Sequence, residues 1–126
     1  MLHFDIWIQN EYPALEAAFE QAQHVICSAL LLCAGVGCRC VTGSGEQHCS
    51  ELYHGRILRV SVSEGPTWFV VVYLLRESLH FEIYLDDLPN IDQRRELERA
   101  LRALGGILYW TQDSKASTME ERLGYV

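Results

Sequence analysis

The stretch CRCVTGSGEQHC, from Cys38 to Cys49, holds three of the chain's five cysteines and one of its five histidines. With His54 close behind, these side chains are the donor types of a metal site, a thiol nucleophile or a redox pair. The spacing argues against each. Structural zinc sites take cysteine pairs separated by two to four residues, so that both thiolates reach one ion from a tight knuckle. Cys38 and Cys40 are two apart, and in a strand they share a face, whereas the adjacent His48 and Cys49 point to opposite faces. A site built from Cys38, Cys40 and Cys49 with His48 or His54 requires the loop to fold back on itself. A nucleophilic Cys49 needs a lowered thiol pKa, a base within hydrogen-bond reach and a group that orients the base, and adjacency to a histidine supplies none of these. A disulfide between Cys38 and Cys40 would close a strained loop. The simplest reading is a hairpin turning at Thr42-Gly43-Ser44-Gly45 with free thiols, and no metal or cofactor is expected.

Other chemical signatures are incomplete. The Gly-x-Gly triplets at 35–37 and 43–45 lack the third glycine of a dinucleotide loop, and no Lys-Ser/Thr follows as in a phosphate loop. Ser44 is flanked directly by Gly43 and Gly45, so the Gly-x-Ser-x-Gly elbow of serine hydrolases is missing. Asp86 and Asp87 precede Pro89 and a helix start, where they suit a turn and cap. The expectation is a protein that is not an enzyme. A small metal- or thiol-dependent enzyme stays open as an alternative, resting on Cys38, Cys40, His48, Cys49 and His54.

Composition narrows the partner. The 126 residues make one domain, 1–126, and 49% hydrophobic with 21% charged residues is ordinary for a folded chain. A net charge of −7 and a pI near 5.1 repel nucleic acid and anionic membranes and suit a basic protein partner. The longest apolar stretch runs from Val25 to Val36, short of the roughly 20 residues that cross a bilayer. The first residues, MLHFDIWIQNEYP, carry no basic segment ahead of an apolar run, so no secretory leader is expected. An odd cysteine count fits a reducing, cytoplasmic setting.

The elements that would position any site follow from periodicity. Phe4, Ile6 and Ile8 alternate with Asp5, Trp7 and Gln9 as a short strand or extended arm. Pro13 opens a helix expected over 13–34, amphipathic in its first half, with Gly35 and Gly37 stopping it. Its second half is apolar nearly all round and calls for deep burial or a covering partner, a homodimer being one form of the latter. Three segments, ending at Ser63, Leu75 and Leu85, form an antiparallel meander over 56–86; Thr67–Leu75, apolar on both faces, is its central strand. A Glu64-Gly65-Pro66 turn and a tight Arg76-Glu77-Ser78 connection join them. Asn90 and Gln93 have capping-box spacing for a helix that runs through Leu97, Leu101 and Leu104 to Gly105-Gly106. Asp92, Arg94, Arg95, Glu96, Glu98, Arg99 and Arg102 read as its solvated face. Ile107–Trp110 is a short strand, and Ser117 with Glu120 could box a last short helix. The expected architecture is α+β: an antiparallel sheet of three to five strands packed against a long N-terminal helix and a second helix.

What remains is surface. Three tryptophans and six tyrosines are many large amphipathic rings for this length, and such rings anchor interfaces where they are not core. Trp68, Tyr73 and Tyr84 lie on the sheet, two of them expected on the face away from the helices. With Glu77, Glu82, Asp86 and Asp87 they make a candidate patch for a basic partner. In size, acidity, address and aromatic-plus-acidic sheet the chain resembles, in general character, the small immunity proteins with which bacteria neutralise secreted toxins. That resemblance implies a protein-binding inhibitor that occludes a toxin's active site. The element order from about residue 13 onward is also similar to the small acidic chaperones of type III secretion, which hold an extended effector segment.

Overall fold

The computed structural model describes residues 2–34, 39–46, 53–63, 68–86, 90–111 and 118–122, and within them the side chains of 3, 5–30, 56–62, 68–86, 90–111, 118, 119, 121 and 122. Six strands and three helices follow in the order β1 (Leu2–Gln9), α1 (Tyr12–Ala34), β2 (Arg39–Glu46), β3 (Tyr53–Ser63), β4 (Trp68–Leu75), β5 (Ser78–Leu85), α2 (Ile91–Arg102), β6 (Ile107–Trp110) and α3 (Met119–Arg122). All strands join one antiparallel sheet in the order β2-β3-β4-β5-β1-β6. The α+β class, the meander and the packing of a long N-terminal helix on the sheet are as expected. The sheet reaches six strands because β1 slots between β5 and β6 and β2 extends the other edge.

The period of two sorts each strand's side chains. Ile6 and Ile8 of β1, Leu58 and Val60 of β3, Val70, Val72 and Leu74 of β4, and Leu79, Phe81, Ile83 and Leu85 of β5 are buried on one face. There they meet Leu15, Phe19, Ala22, Ile26 and Leu30 of α1 and Leu97 and Leu101 of α2 in a single cluster. Both long helices therefore cover the same side of the sheet. Burying each of these large aliphatic or aromatic side chains contributes about 1.5–3 kcal/mol, which is why the apolar stripe of α1 settles there rather than in water.

Local signals set the element ends. Pro13 lies in the first turn of α1, where its missing N–H costs no hydrogen bond. Asn90 and Gln93 form the reciprocal capping box at α2, each side chain accepting from the other's backbone N–H at 2.9 Å. Arg76 and Glu77 are the two residues between β4 and β5. Gly105 and Gly106 turn the chain from α2 into β6 with φ of 83° and 82°, a left-handed conformation that other residues adopt at a cost.

Three expectations change. The residues Thr42-Gly43-Ser44-Gly45 do not turn: they lie inside β2, opposite Val60, Arg59, Leu58 and Ile57 of β3. Main-chain pairing along an eleven-residue partner outweighs the local turn preference of two glycines. The charged face of α2 is not uniformly solvated. Arg94 and Glu98 are buried, and α3 docks on α2 at Glu98, with one carboxylate oxygen accepting the Met119 N–H at 3.0 Å and the other taking Arg102 at 2.8 Å. The last helix is capped by Thr118, whose hydroxyl accepts the Glu121 N–H. Ser117, Gly35, Gly37 and the 64–66 turn lie outside the described residues.

The two glycines separate backbone strain from crowding. A β-carbon at Gly105 meets nothing within 4 Å, whereas one at Gly106 would lie 2.7 Å from the Gln9 carbonyl oxygen and 2.7 Å from Ile8. Gly105→Ala is expected to cost about 1–2 kcal/mol from the left-handed backbone alone. Gly106→Ala adds a clash against β1 and is expected to cost at least about 1 kcal/mol more. Urea unfolding of the two variants checks the difference; equal losses would contradict the close approach.

Candidate functional site

Because both helices sit on one side, the alternate side chains of the strands have no helix over them among the described residues. On β1 these are His3, Asp5, Trp7 and Gln9; on β5, Ser78, His80, Glu82 and Tyr84; on β4, Phe69, Val71 and Tyr73; on β6, Ile107 and Tyr109. The register lines them up in rows across the strands. His3 faces Tyr84, which faces Phe69; Asp5 faces Glu82, which faces Val71; Trp7 faces both His80 and Tyr109, and His80 faces Tyr73.

Two of these rows are stacked rings. In the first, His3 lies 4.5 Å from Tyr84 and Phe69 lies 4.4 Å from Tyr84, with planes within 16° and 15°. In the second, Trp7 lies 3.9 Å from His80 at 3°, and the row continues to Tyr73 on one side and Tyr109 on the other. Between them runs a row of Asp5, Glu82 and Val71. The two ring rows are four residues apart along each strand, about 13 Å at the rise of an extended chain. The result is a pair of aromatic ridges flanking an acidic strip.

The energetics decide why this arrangement holds. Two carboxylates directly opposite each other in an antiparallel pair are destabilising, on a scale of about 0.2–1 kcal/mol. Each stacked ring pair contributes about 0.5–1.5 kcal/mol beyond its area, so the ridges outweigh the repulsion they enclose. Hydrogen bonds occupy the carboxylates further. His80 Nε2 lies 2.8 Å from an Asp5 oxygen, and the Tyr84 hydroxyl donates to Glu82 at 2.9 Å. The packing is close enough that Val71 is only 4% exposed although it points away from the helices. At the strip's surface Asp5 and Glu82 keep 24% and 20% of their side-chain exposure, and Ile107 and Tyr109 are the exposed large hydrophobic residues at the β6 end.

Of the residues singled out from sequence, Tyr73, Glu82 and Tyr84 come together here. Trp68 does not: it shares parity with Val70, Val72 and Leu74 and is buried in the helix-side core, so it cannot meet a partner. Glu77 lies in the β4–β5 connection, lining an open depression of about 570 Å³ with Tyr12, Arg76 and Gly106 rather than the strip. Asp86 is exposed just beyond β5. Asp87 lies outside the described residues, as do Cys38, His48 and Cys49 and the side chains of Cys40 and His54, so their convergence is not described. Missing from the sequence-level patch were His3, Asp5, Trp7, Phe69, His80 and Tyr109. The signal was there in His3-x-Asp5-x-Trp7 and His80-x-Glu82-x-Tyr84, two alternating runs of rings and acids.

The surroundings shift one group of the face. The Tyr84 hydroxyl is raised above the ordinary tyrosine value of 10.0, first by burial and then by its hydrogen bond and charge repulsion with Glu82, with Asp5 adding to the effect and Arg59 opposing it. The folded chain thus holds this proton more tightly than the unfolded chain. Its contribution to stability is full below pH about 10 and is lost as pH rises through the raised value. Tyr84→Phe is expected to remove part of the alkaline loss of stability, and Glu82→Gln to bring the Tyr84 titration, followed by ultraviolet absorbance, back toward 10. An unchanged Tyr84 titration in Glu82→Gln would contradict the contact.

No helix among the described residues is long and apolar enough to cross a membrane. Comparison of the chain with protein families, with curated proteins and with solved structures gives no match.

Proposed function

We propose that the chain is a non-enzymatic protein-binding inhibitor that engages a basic partner through the helix-free face of its sheet, in the manner of an immunity protein that occludes a toxin's active site. The observation that carries this reading is the acidic strip of Asp5 and Glu82 between two aromatic ridges. Stacked rings are rigid and large, so they bury much area on association while losing little conformational freedom. Their arrangement matches the usual anatomy of an energetic hot spot, in which a few aromatic anchors surround a desolvated polar contact. The strip supplies the charge that an arginine or lysine of the partner would meet, and the net charge of −7 steers such a partner toward the chain.

Secretion-chaperone activity is a second reading, favoured by a different observation. Among the described residues β6 is the last strand of the sheet, with Ile107 68% exposed and Tyr109 40% exposed, and an outer strand of this kind can extend its ladder onto an extended effector segment. The two readings place the partner differently. One puts it over Asp5 and Glu82, the other along the outer edge of β6.

The deciding experiment is affinity capture with paired baits, wild type and an Asp5→Lys/Glu82→Lys variant, followed by calorimetric titration of the captured protein into each. A single basic protein that binds wild type stoichiometrically, at least 100-fold more weakly to the charge-reversed chain, and at least tenfold more weakly to Trp7→Ala is expected. Retained affinity after charge reversal would overturn the inhibitor reading. Binding that survives charge reversal but is lost when the β6 edge is blocked would transfer the function to the chaperone class.

A further inference from the structure

His3 stands beside Asp5 and Glu82, and together the three form a donor set whose imidazole partner binding does not use. His3 Nε2 lies 3.6 Å from an Asp5 oxygen and 3.6 Å from a Glu82 oxygen. Both distances are too long for a hydrogen bond. They are close to the spacing of ligand atoms around one ion, since two bonds of about 2.1 Å at the tetrahedral angle place their ends about 3.4 Å apart. One ligand atom each from His3, Asp5 and Glu82 lies within 4.8 Å of the others. We propose that His3, Asp5 and Glu82 form a binding site for a divalent transition-metal ion on the open face of the sheet.

The neighbours of these three side chains are what such a site needs. Ligating carboxylates are oriented by hydrogen bonds from outside the coordination sphere. His80 Nε2 supplies one to Asp5 at 2.8 Å, and the Tyr84 hydroxyl supplies the other to Glu82 at 2.9 Å. The donors are themselves fixed, His80 by its stack on Trp7 and Tyr84 by its stacks on Phe69 and His3. The His3 ring is held flat against Tyr84, with Nε2 turned toward both carboxylates. A positive ion here also relieves the repulsion between Asp5 and Glu82, which face each other across β1 and β5.

The donor types select the ion. One imidazole and two carboxylates, with solvent completing the shell, suit zinc, cobalt(II) or manganese(II) better than copper(I), which prefers sulfur. His3 is 42% exposed at its side chain, so an ion enters without opening the core. Three protein ligands leave a position facing outward, where water or a donor atom of another molecule completes the sphere. The site stands whether or not a protein partner binds. Where one does, the ion neutralises the strip and weakens a lysine or arginine that would otherwise occupy it.

The probe is cobalt(II) or zinc chloride titrated into the full chain, read by calorimetry and, for cobalt, by visible absorption. Cys38, Cys40 and Cys49 are a competing donor set, so a Cys38→Ser/Cys40→Ser/Cys49→Ser variant is measured alongside. One equivalent is expected to bind wild type and the cysteine variant alike, without a thiolate-to-cobalt charge-transfer band. Affinity is expected to fall at least tenfold in His3→Ala and in Glu82→Gln, with circular dichroism unchanged. Binding that disappears in the cysteine variant, that persists undiminished in both His3→Ala and Glu82→Gln, or that never reaches stoichiometry would overturn the proposal. Because the titration uses no protein partner, its failure leaves the inhibitor reading standing, and the loss of the partner reading leaves the titration unaffected.

Discussion

Among the described residues, everything depends on the one-sided covering of a six-stranded sheet. Alternation along a strand obliges half of its side chains to face away from whatever covers the other half. With α1 and α2 on the same face, the core is built there by Ile6, Leu58, Val72, Phe81 and their neighbours, and the opposite side chains must satisfy each other. They do so with rings. Antiparallel pairing puts side chains of adjacent strands within stacking distance, so a His or Trp on β1 finds a Tyr or His on β5 by register alone. The aromatic ridges are therefore a second, thinner layer of packing, and the acidic strip between them is the part that packing leaves polar.

This layer gives the carboxylates their character. Isolated on a surface, an Asp and a Glu would be hydrated and mobile. Here each accepts a hydrogen bond from a stacked neighbour, His80 for Asp5 and Tyr84 for Glu82, so their positions are set before anything binds. Pre-set charge loses little on association because ordering has already occurred in folding. The same rigidity would suit both the proposed protein cation and the proposed metal ion, and the two would compete for one strip.

Much of the fold was legible because local rules agree with it. The strands of the meander, the long first helix, and the Asn90–Gln93 capping box follow from spacing and side-chain chemistry alone. The site was legible only in part, since its rows are assembled by pairing between distant segments. Nothing local says that β1 inserts between β5 and β6, and without that neighbour Asp5 and Glu82 are two unrelated acids. Trp68 misled for a different reason: Thr67–Leu75 is apolar on both faces, so its parity is undecided until Tyr73 and Phe69 are seen stacked on the far side. The α2 charges misled because nothing local says that the short last helix docks on α2, where the Met119 N–H takes Glu98.

Hydroxyl-radical footprinting of the chain, free and saturated with the basic partner proposed for it, tests the central claim most directly. Trp7, Tyr73 and Tyr109 are expected to lose reactivity in the complex, while His24 on α1, Arg99 on α2 and the buried Trp68 keep theirs. Protection confined to the α1 and α2 surface, with Trp7 and Tyr109 as reactive as in the free chain, would contradict the assignment of function to the helix-free face.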